Sequence, residues 1–265
     1  MRIAVHNNAH LAEQGAWMAA LVSGFQRHGH EVTLYDDPFP VDCDLAVFWS
    51  HKKHQIIANQ KAKGLDYLVI ERGYLGERMT NHCSLGFNGL NGRADFQNQN
   101  VPDDRGKMWR HLLEPYHDGK YTVIMGQVPG DAALTCNLQE FVSEAQQGAT
   151  HHGKPIVFRP HPVAKGYPVP GVMAVHGTLE HCLHGAHWAI TYSSNSGVDA
   201  ALAGVRVTAL DQGSMAWDIA AHDYTPTRPT DAERVEWLNW LAYCQWTIDE
   251  IRNGDAWAHL KQRYD

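Results

Sequence analysis

The sequence predicts an α/β protein in two halves, each built on a parallel sheet with helices on its faces. Three observations predict it. Strand and helix patterns alternate from Arg2 to Ile70, a polar run at Gln97–Lys107 interrupts them, and the same rhythm restarts at Tyr121. Within the second half, Trp188–Leu210 reads as a complete βαβ unit. It has a buried strand (Trp188–Tyr192), a polar turn (Ser193–Ser196), a short helix of small residues (Gly197–Ala203) and a second strand (Val205–Leu210).

Taken in order, Arg2–His6 is a strand, and Glu13–His28 is a helix because Trp17, Leu21 and Phe25 recur one turn apart. Glu31–Tyr35, Leu45–Trp49 and Tyr67–Ile70 are further strands, with a helix through Gln55–Lys63. The loop after the first strand, Asn7–Gln14, has no glycine-rich dinucleotide fingerprint, which disfavours an NAD-type enzyme. Glycines at 73, 76, 86, 89 and 92 read as tight turns after Ile70. At the end of that buried strand, Glu71 is either a catalytic carboxylate or an ion-pair partner of Arg72, Arg78 or Arg93.

In the second half, strand Thr122–Met125 runs into a loop able to present Gln127 and Asp131, and a helix follows to Gln147. Strand Pro155–Phe158 ends in Arg159-Pro160-His161-Pro162, where two prolines stiffen an Arg and a His into an anion clamp. Val172–Val175 is the next strand. In the βαβ unit, Ser193, Ser194, Asn195 and Ser196 open into a helix at a strand's carboxyl end, where backbone N–H groups and the positive helix end suit a phosphate or carboxylate. Ser196 with Asp199 three residues later also approximates a capping box, and both roles are compatible. Further on, a loop carries Trp217 and Tyr224, and Thr230–Glu233 is a capping box. It opens a long helix with Trp237, Leu241, Cys244, Ile248 and Ile251 in one buried stripe.

Composition bounds the function. The net charge of −7 gives no bulk attraction to nucleic acid, and the basic set Lys52, Lys53, Lys61 and Lys63 reads as a solvated helix face or a local phosphate patch. Five scattered cysteines without a CxxC pair point to reduced thiols in a cytoplasm, and no apolar run approaches the roughly 20 residues of a membrane span. The 18 histidines include His176, His181, His184 and His187 around one helix. Leu179, Leu183 and Ala186 claim its buried face, so a structural or solvated role is expected and no metal site.

The segments GQVPGDAAL (126–134), FRPHP (158–162), TYSSNSGVDAALAGVRV (191–207) and GSMAWD (213–218), with ERGYLG (71–76) and SLGFNGLNG (84–92), resemble in order the signatures of bacterial capsular polysaccharide biosynthesis proteins that transfer Kdo sugars. The resemblance covers residues 66–224. It implies a GT-B-like architecture: two Rossmann-like domains (1–110 for the acceptor, 111–225 for the nucleotide sugar) with a cleft between them, and C-terminal helices (226–265) packing back on the body. It implies a glycosyltransferase that works without a metal, so that Asp42-Cys43-Asp44, formally a DxD, is a chance match. Gln127, Arg159, His161 and Ser193–Ser196 would then hold a CMP- or UDP-linked sugar, with Asp199 supporting the turn. Where the family has Glu-Asp-Gly this chain has Glu71-Arg72-Gly73, so a cation replaces the carboxylate that acts on the sugar. Glu71 or Asp131 is left as the base for an acceptor hydroxyl, and Arg159 and His161 offset charge on the leaving phosphate. The acceptor is a surface glycan or, as for bacteriophage enzymes of this architecture, a hydroxymethylated base in DNA. Two other readings are a non-catalytic nucleotide-sugar-binding module and a sugar-phosphate epimerase.

Overall fold

The computed structural model describes every residue except 8–11, 79, 165, 167, 168, 170 and 265. The loop after the first strand, whose lack of a glycine fingerprint argues against NAD, therefore lies largely outside the described residues. Along the chain run β1 (Arg2–His6), α1 (Ala12–Arg27), β2 (Glu31–Tyr35), β3 (Leu45–Trp49), α2 (His54–Ala62), β4 (Tyr67–Arg72), β5 (His82–Phe87) and α3 (Asp104–Lys107). They are followed by β6 (Tyr121–Met125), α4 (Leu138–Ala149), β7 (Ile156–Arg159), β8 (Met173–Ala174), α5 (Leu179–Gly185), β9 (Ala186–Thr191), α6 (Ser196–Leu202) and β10 (Arg206–Ala209). The chain closes with α7 (Asp231–Ala242), β11 (Gln245–Thr247), α8 (Ile248–Asn253) and α9 (Asp255–Leu260).

These elements form two α/β units with separate sheets: Met1–Pro102 with Trp240–Asp265, and Asp103–Asn239. The first sheet has the order β11-β5-β4-β3-β1-β2. Its strands β2, β1, β3 and β4 are parallel, as the alternating pattern predicts, whereas β5 is antiparallel to β4 and β11 antiparallel to β5. Both faces of β1 are covered. Ile3 and Val5 pack with Trp17, Leu21 and Phe25 of α1 and with Trp257 and Leu260 of α9, while Ala4 packs with Ile56 and Ile57 of α2. Burying each of the large side chains contributes about 1.5–3 kcal/mol.

Two expectations fail here. Gly86 marks no turn but lies inside β5, because a Cβ there would stand 2.6 Å from the Ala94 Cβ and 2.9 Å from the Phe96 ring. The long C-terminal helix is broken. α7 starts at the expected box, with Thr230 N–H donating to Glu233 at 2.7 Å and Glu233 N–H donating to Thr230 Oγ1 at 3.2 Å, but it ends at Ala242. Gln245–Thr247 then turns extended to complete the sheet edge on β5, and a second capping box, Thr247 with Glu250, opens α8.

The second sheet is wholly parallel, with the order β10-β9-β6-β7-β8. Its core joins Ile124, Phe158, Trp188 and Ile190 to Leu138, Phe141 and Val142 of α4. Chain order reverses about β6, whose neighbours are β7 on one side and β9 on the other. Such a reversal opens a crevice at the carboxyl ends of the central strands. Buried Arg234 of α7 holds the far end of α6, donating to the Ala201 carbonyl at 2.8 Å and to the Glu114 carbonyl at 2.8 Å.

The histidines around α5 behave as read. His181 and His184 are exposed, and His187 lies 3.4 Å from Asp118, which Arg206 also binds at 3.0 Å. Among the described residues no group of three His, Cys, Asp or Glu side chains could hold a metal ion. Among them, too, no helix is long and apolar enough to cross a membrane. All five cysteines are free thiols.

Candidate functional site

The sheet order of the second unit places three of the singled-out segments side by side, since β9, β6 and β7 are neighbours and each runs out into one of them. Gly126 follows β6 because its N–H donates to the Arg159 carbonyl at 2.8 Å and a Cβ would meet that oxygen at 3.0 Å and the His161 nitrogen at 3.1 Å. That close approach fixes the loop after β6 against the Arg159–His161 segment.

Gln127 does not face outward. It is buried, its Oε1 accepts the Ser193 N–H at 2.9 Å and its Nε2 donates to Ser193 Oγ at 3.1 Å, so it latches the loop after β6 to the turn after β9. Ser193 Oγ in turn donates to the Ala133 carbonyl at 2.5 Å. Asp131 is exposed and accepts the Ala133 N–H at 2.9 Å, which makes it the pivot of an Asx turn that brings Ala133 round to Ser193.

The serine turn differs from its expected form in two ways. Asn195 is the residue that precedes α6, and it makes no side-chain cap; Ser196 is the first helical residue, and its N–H donates to Ser194 Oγ at 3.2 Å. The N–H groups are mostly engaged as well. Ser194 N–H donates to Thr191 Oγ1 at 3.0 Å, and those of Gly197 and Val198 donate to the carbonyls of Ser194 and Asn195 at 2.9 and 3.0 Å. The cause is local chemistry: hydroxyls two and three residues upstream reach these N–H groups before a helix can leave them open. Asn195 N–H is the one in Ser193–Val198 without an acceptor among the described residues. Asp199 stands in the first turn of α6, where its carboxylate favours the positive helix end.

On the neighbouring strand end, Arg159 is half-buried and its Nη2 donates to the Gly177 carbonyl at 3.0 Å, with a longer contact from Nη1 to its neighbour Pro160 at 3.3 Å. Val163 N–H donates to His161 Nδ1 at 3.2 Å, so the neutral ring carries its proton on Nε2. At this edge Arg159 Nε, a donor, and Asn195 Oδ1, an acceptor, are buried with no hydrogen-bond partner among the described residues. Buried polar groups are as a rule satisfied, so these exceptions mark the carboxyl edge of this parallel sheet as a candidate ligand position.

Sequence reasoning missed the residues that shape this edge, namely Thr191, Ala133 and Tyr192. Tyr192 Oη lies 3.0 Å from Thr135 Oγ1, and burial raises its pKa, which keeps the phenol protonated. A signal existed for Thr191, since a threonine three residues before a serine can take its N–H. Glu71 belongs to the other unit, in β4, where its Oε1 accepts the N–H of exposed Arg72 at 3.0 Å. Asp42 and Asp44, the formal DxD, are both bound to Arg2, at 2.9 and 3.3 Å, and Asp42 also to Lys63 at 3.2 Å.

No family model matches the chain, and no curated protein matches its sequence. Solved structures do match its fold. A beta Kdo 2,4 transferase, KpsC of Thermosulfurimonas dismutans, aligns with a TM-score of 0.61 over 92% of this chain and 90% of its own, at 16% identity. A beta Kdo 2,7 transferase, also KpsC of that organism, aligns with a TM-score of 0.55 over 99% of this chain and 100% of its own, at 14% identity. The two-unit α/β architecture is thus GT-B-like, a fold shared with these Kdo transferases at low sequence identity.

Proposed function

We propose that the chain is a glycosyltransferase that takes a nucleotide-linked sugar at the carboxyl edge of its second sheet and passes the sugar to a hydroxyl acceptor. One observation supports the reading: at the reversal point of that sheet, three adjacent strand ends bring Arg159, His161 and the serine turn to one edge, with Arg159 Nε and Asn195 Oδ1 lacking partners among the described residues. In this reading the Arg159 guanidinium and the Nε2–H of His161 take the phosphate oxygens. The Asn195 N–H and the hydroxyls of Ser194 and Ser196 complete the donor contacts, and Gln127, Ser193 and Asp199 hold the turn in shape.

As the bond from the sugar's anomeric carbon to phosphate breaks, Arg159 and His161 offset the charge left on the leaving group. The acceptor oxygen bonds to that carbon and gives its proton to Glu71, with Asp131 the second candidate base. The cations, rather than a metal ion, stabilise the leaving phosphate on this account. The pairing of Asp42 with Arg2 and Lys63, and of Asp44 with Arg2, supports it, because the formal DxD already has cationic partners. The donor base is cytosine or uracil, the sugar Kdo or a hexose, and the acceptor a surface glycan or a hydroxymethylated base in DNA.

The test is a thermal-shift titration with CMP, UDP, GDP, ADP and their sugar conjugates, with and without EDTA, because a ligand of the native state raises the melting temperature. CMP or UDP should stabilise the protein in both conditions. Arg159→Ala and His161→Ala should abolish that shift, and Glu71→Gln should keep it while losing transfer to glycan or DNA acceptors. Undiminished shifts in both the Arg159 and His161 variants would refute the site.

A further inference from the structure

The first sheet has a reversal point of its own. Chain order turns about β1, whose neighbours are β2 and β3, and His6 ends β1 opposite Tyr35 of β2 and Phe48 of β3. Strand alternation puts His6 on the face of Ala4, the face covered by α2. The His6 ring stacks on Tyr35 at 5.6 Å between centroids and is 1% exposed. Its Nδ1 lies 3.3 Å from the Asp37 carbonyl, which can only accept, so the proton is on Nδ1 and the lone pair on Nε2. Burial, then the nearby Lys53 charge, lowers the ring pKa against the opposing effects of the Asp37 carbonyl and carboxylate, so the ring is neutral at pH 7. Nε2 is buried and has no partner among the described residues. It is an acceptor waiting for a hydroxyl.

The Lys53 charge that reaches His6 belongs to the start of α2, which begins five residues after β3 ends, with Lys53 as its N-cap residue, no capping side chain and no acidic residue in its first turn. The N–H groups of His54, Gln55 and Ile56 have no acceptor among the described residues, and Ile57 N–H is the first to be bonded, to the Lys53 carbonyl at 3.0 Å. Helix ends of this length are normally capped or acidic; this one is basic and open. The acidic neighbours are engaged elsewhere: Asp36 accepts from Asn7 Nδ2 at 3.0 Å, and Asp37 accepts the Phe39 N–H at 2.8 Å.

We propose that this edge of the first sheet is a binding site for a phosphorylated sugar, its phosphate on the α2 N–H groups and Lys53 and a sugar hydroxyl donating to His6 Nε2. The two halves of the site want different chemistry, an oxyanion and a hydroxyl donor, and a sugar phosphate supplies both on one small molecule. Naming it the acceptor subsite rests on the glycosyltransferase reading; the site itself does not. On that reading the acceptor's terminal residue carries a phosphate, and His6 lies within reach of an acceptor hydroxyl.

The experiment is calorimetric titration of the full chain with glucose 6-phosphate, glucuronate, glucose and inorganic phosphate. Glucose 6-phosphate should bind at least about tenfold tighter than glucose or inorganic phosphate, and Lys53→Ala should weaken it about tenfold. His6→Phe should do the same, and both variants should keep the nucleotide-induced thermal shift. Should His6→Phe not fold, long-range proton–nitrogen spectra of the wild-type protein serve instead: Nε2 should read as unprotonated in the free state and move when glucose 6-phosphate is added. Equal affinity in wild type and Lys53→Ala, tighter binding of glucuronate, or an unmoved Nε2 would each overturn the proposal. Failure of every nucleotide to bind would refute the glycosyltransferase reading while leaving these results interpretable.

Discussion

Replacing Gln127 by Ala tests whether the donor edge is held by the latch between two strand ends. In the native chain the Gln127 amide satisfies the Ser193 N–H at 2.9 Å and donates to Ser193 Oγ at 3.1 Å, with Ser193 only 1% exposed. Truncation leaves that N–H buried without an acceptor, a cost of about 1–3 kcal/mol. Ser193 Oγ keeps its bond to the Ala133 carbonyl, so little is added from the hydroxyl. Amide hydrogen exchange reads the effect locally: the Ser193 amide should exchange roughly 5- to 150-fold faster, the factor that corresponds to that energy. The urea midpoint should fall in parallel. Gln127→Glu keeps an acceptor for the N–H and should lose less. An unchanged Ser193 exchange rate in Gln127→Ala, with an unchanged urea midpoint, would refute the latch.

Arg234→Ala should destabilise the second unit by about 3 kcal/mol, because hydrogen bonds from a charged donor contribute about 1.5–3 kcal/mol each and this guanidinium makes two at 2.8 Å to the Ala201 and Glu114 carbonyls; urea unfolding measures it. Gly86→Ala should cost about 1–3 kcal/mol by overpacking β5 against Ala94 and Phe96, read in the same way, and a neutral result would refute the close packing described there. Stability should also fall in mild acid. Burial, then the charges of the N-terminus, His28 and Lys261, lower the His30 pKa, and its Nε2 accepts from Trp257 Nε1 at 2.7 Å. The native state therefore binds fewer protons than the unfolded one, so this contribution is full above about pH 6.5 and is lost as pH falls toward the lowered native value. His30→Gln should flatten that part of the profile, measured as urea midpoints from pH 8 to 5.

Where the sequence was legible, one local signal coincided with the tertiary requirement. The βαβ unit at Trp188–Leu210 is such a case: its strand, turn and helix fall at Ala186–Thr191, Ser193–Asn195 and Ser196–Leu202, because buried strand, hydroxyl turn and small-residue helix each have their own pattern. The edge of the first sheet was illegible for the opposite reason. Gly86 has the look of a turn, yet it sits in a strand because Ala94 and Phe96 leave no room for a side chain. Gln245–Thr247 continues a helical stripe, yet it is a strand because β5 otherwise has an open edge. In the candidate site, residue types at strand ends picked out segments that the sheet order places side by side, but the direction of a side chain is not written in spacing. Gln127 reads as a ligand contact and is an internal brace.

The route of the chain bears on how the protein is made. The first unit is discontinuous, leaving at Pro102 and returning at Trp240 inside α7, whereas the second is one uninterrupted stretch. On the ribosome, at roughly 5–20 residues per second, the second unit emerges whole before the first receives β11, α8 and α9. During those seconds on the order of ten, the α1 face of the first sheet lacks Trp246, Ile251, Trp257 and Leu260, which complete its core. The half that begins first at the exit tunnel is thus the half that finishes last, its apolar face left open until those residues arrive.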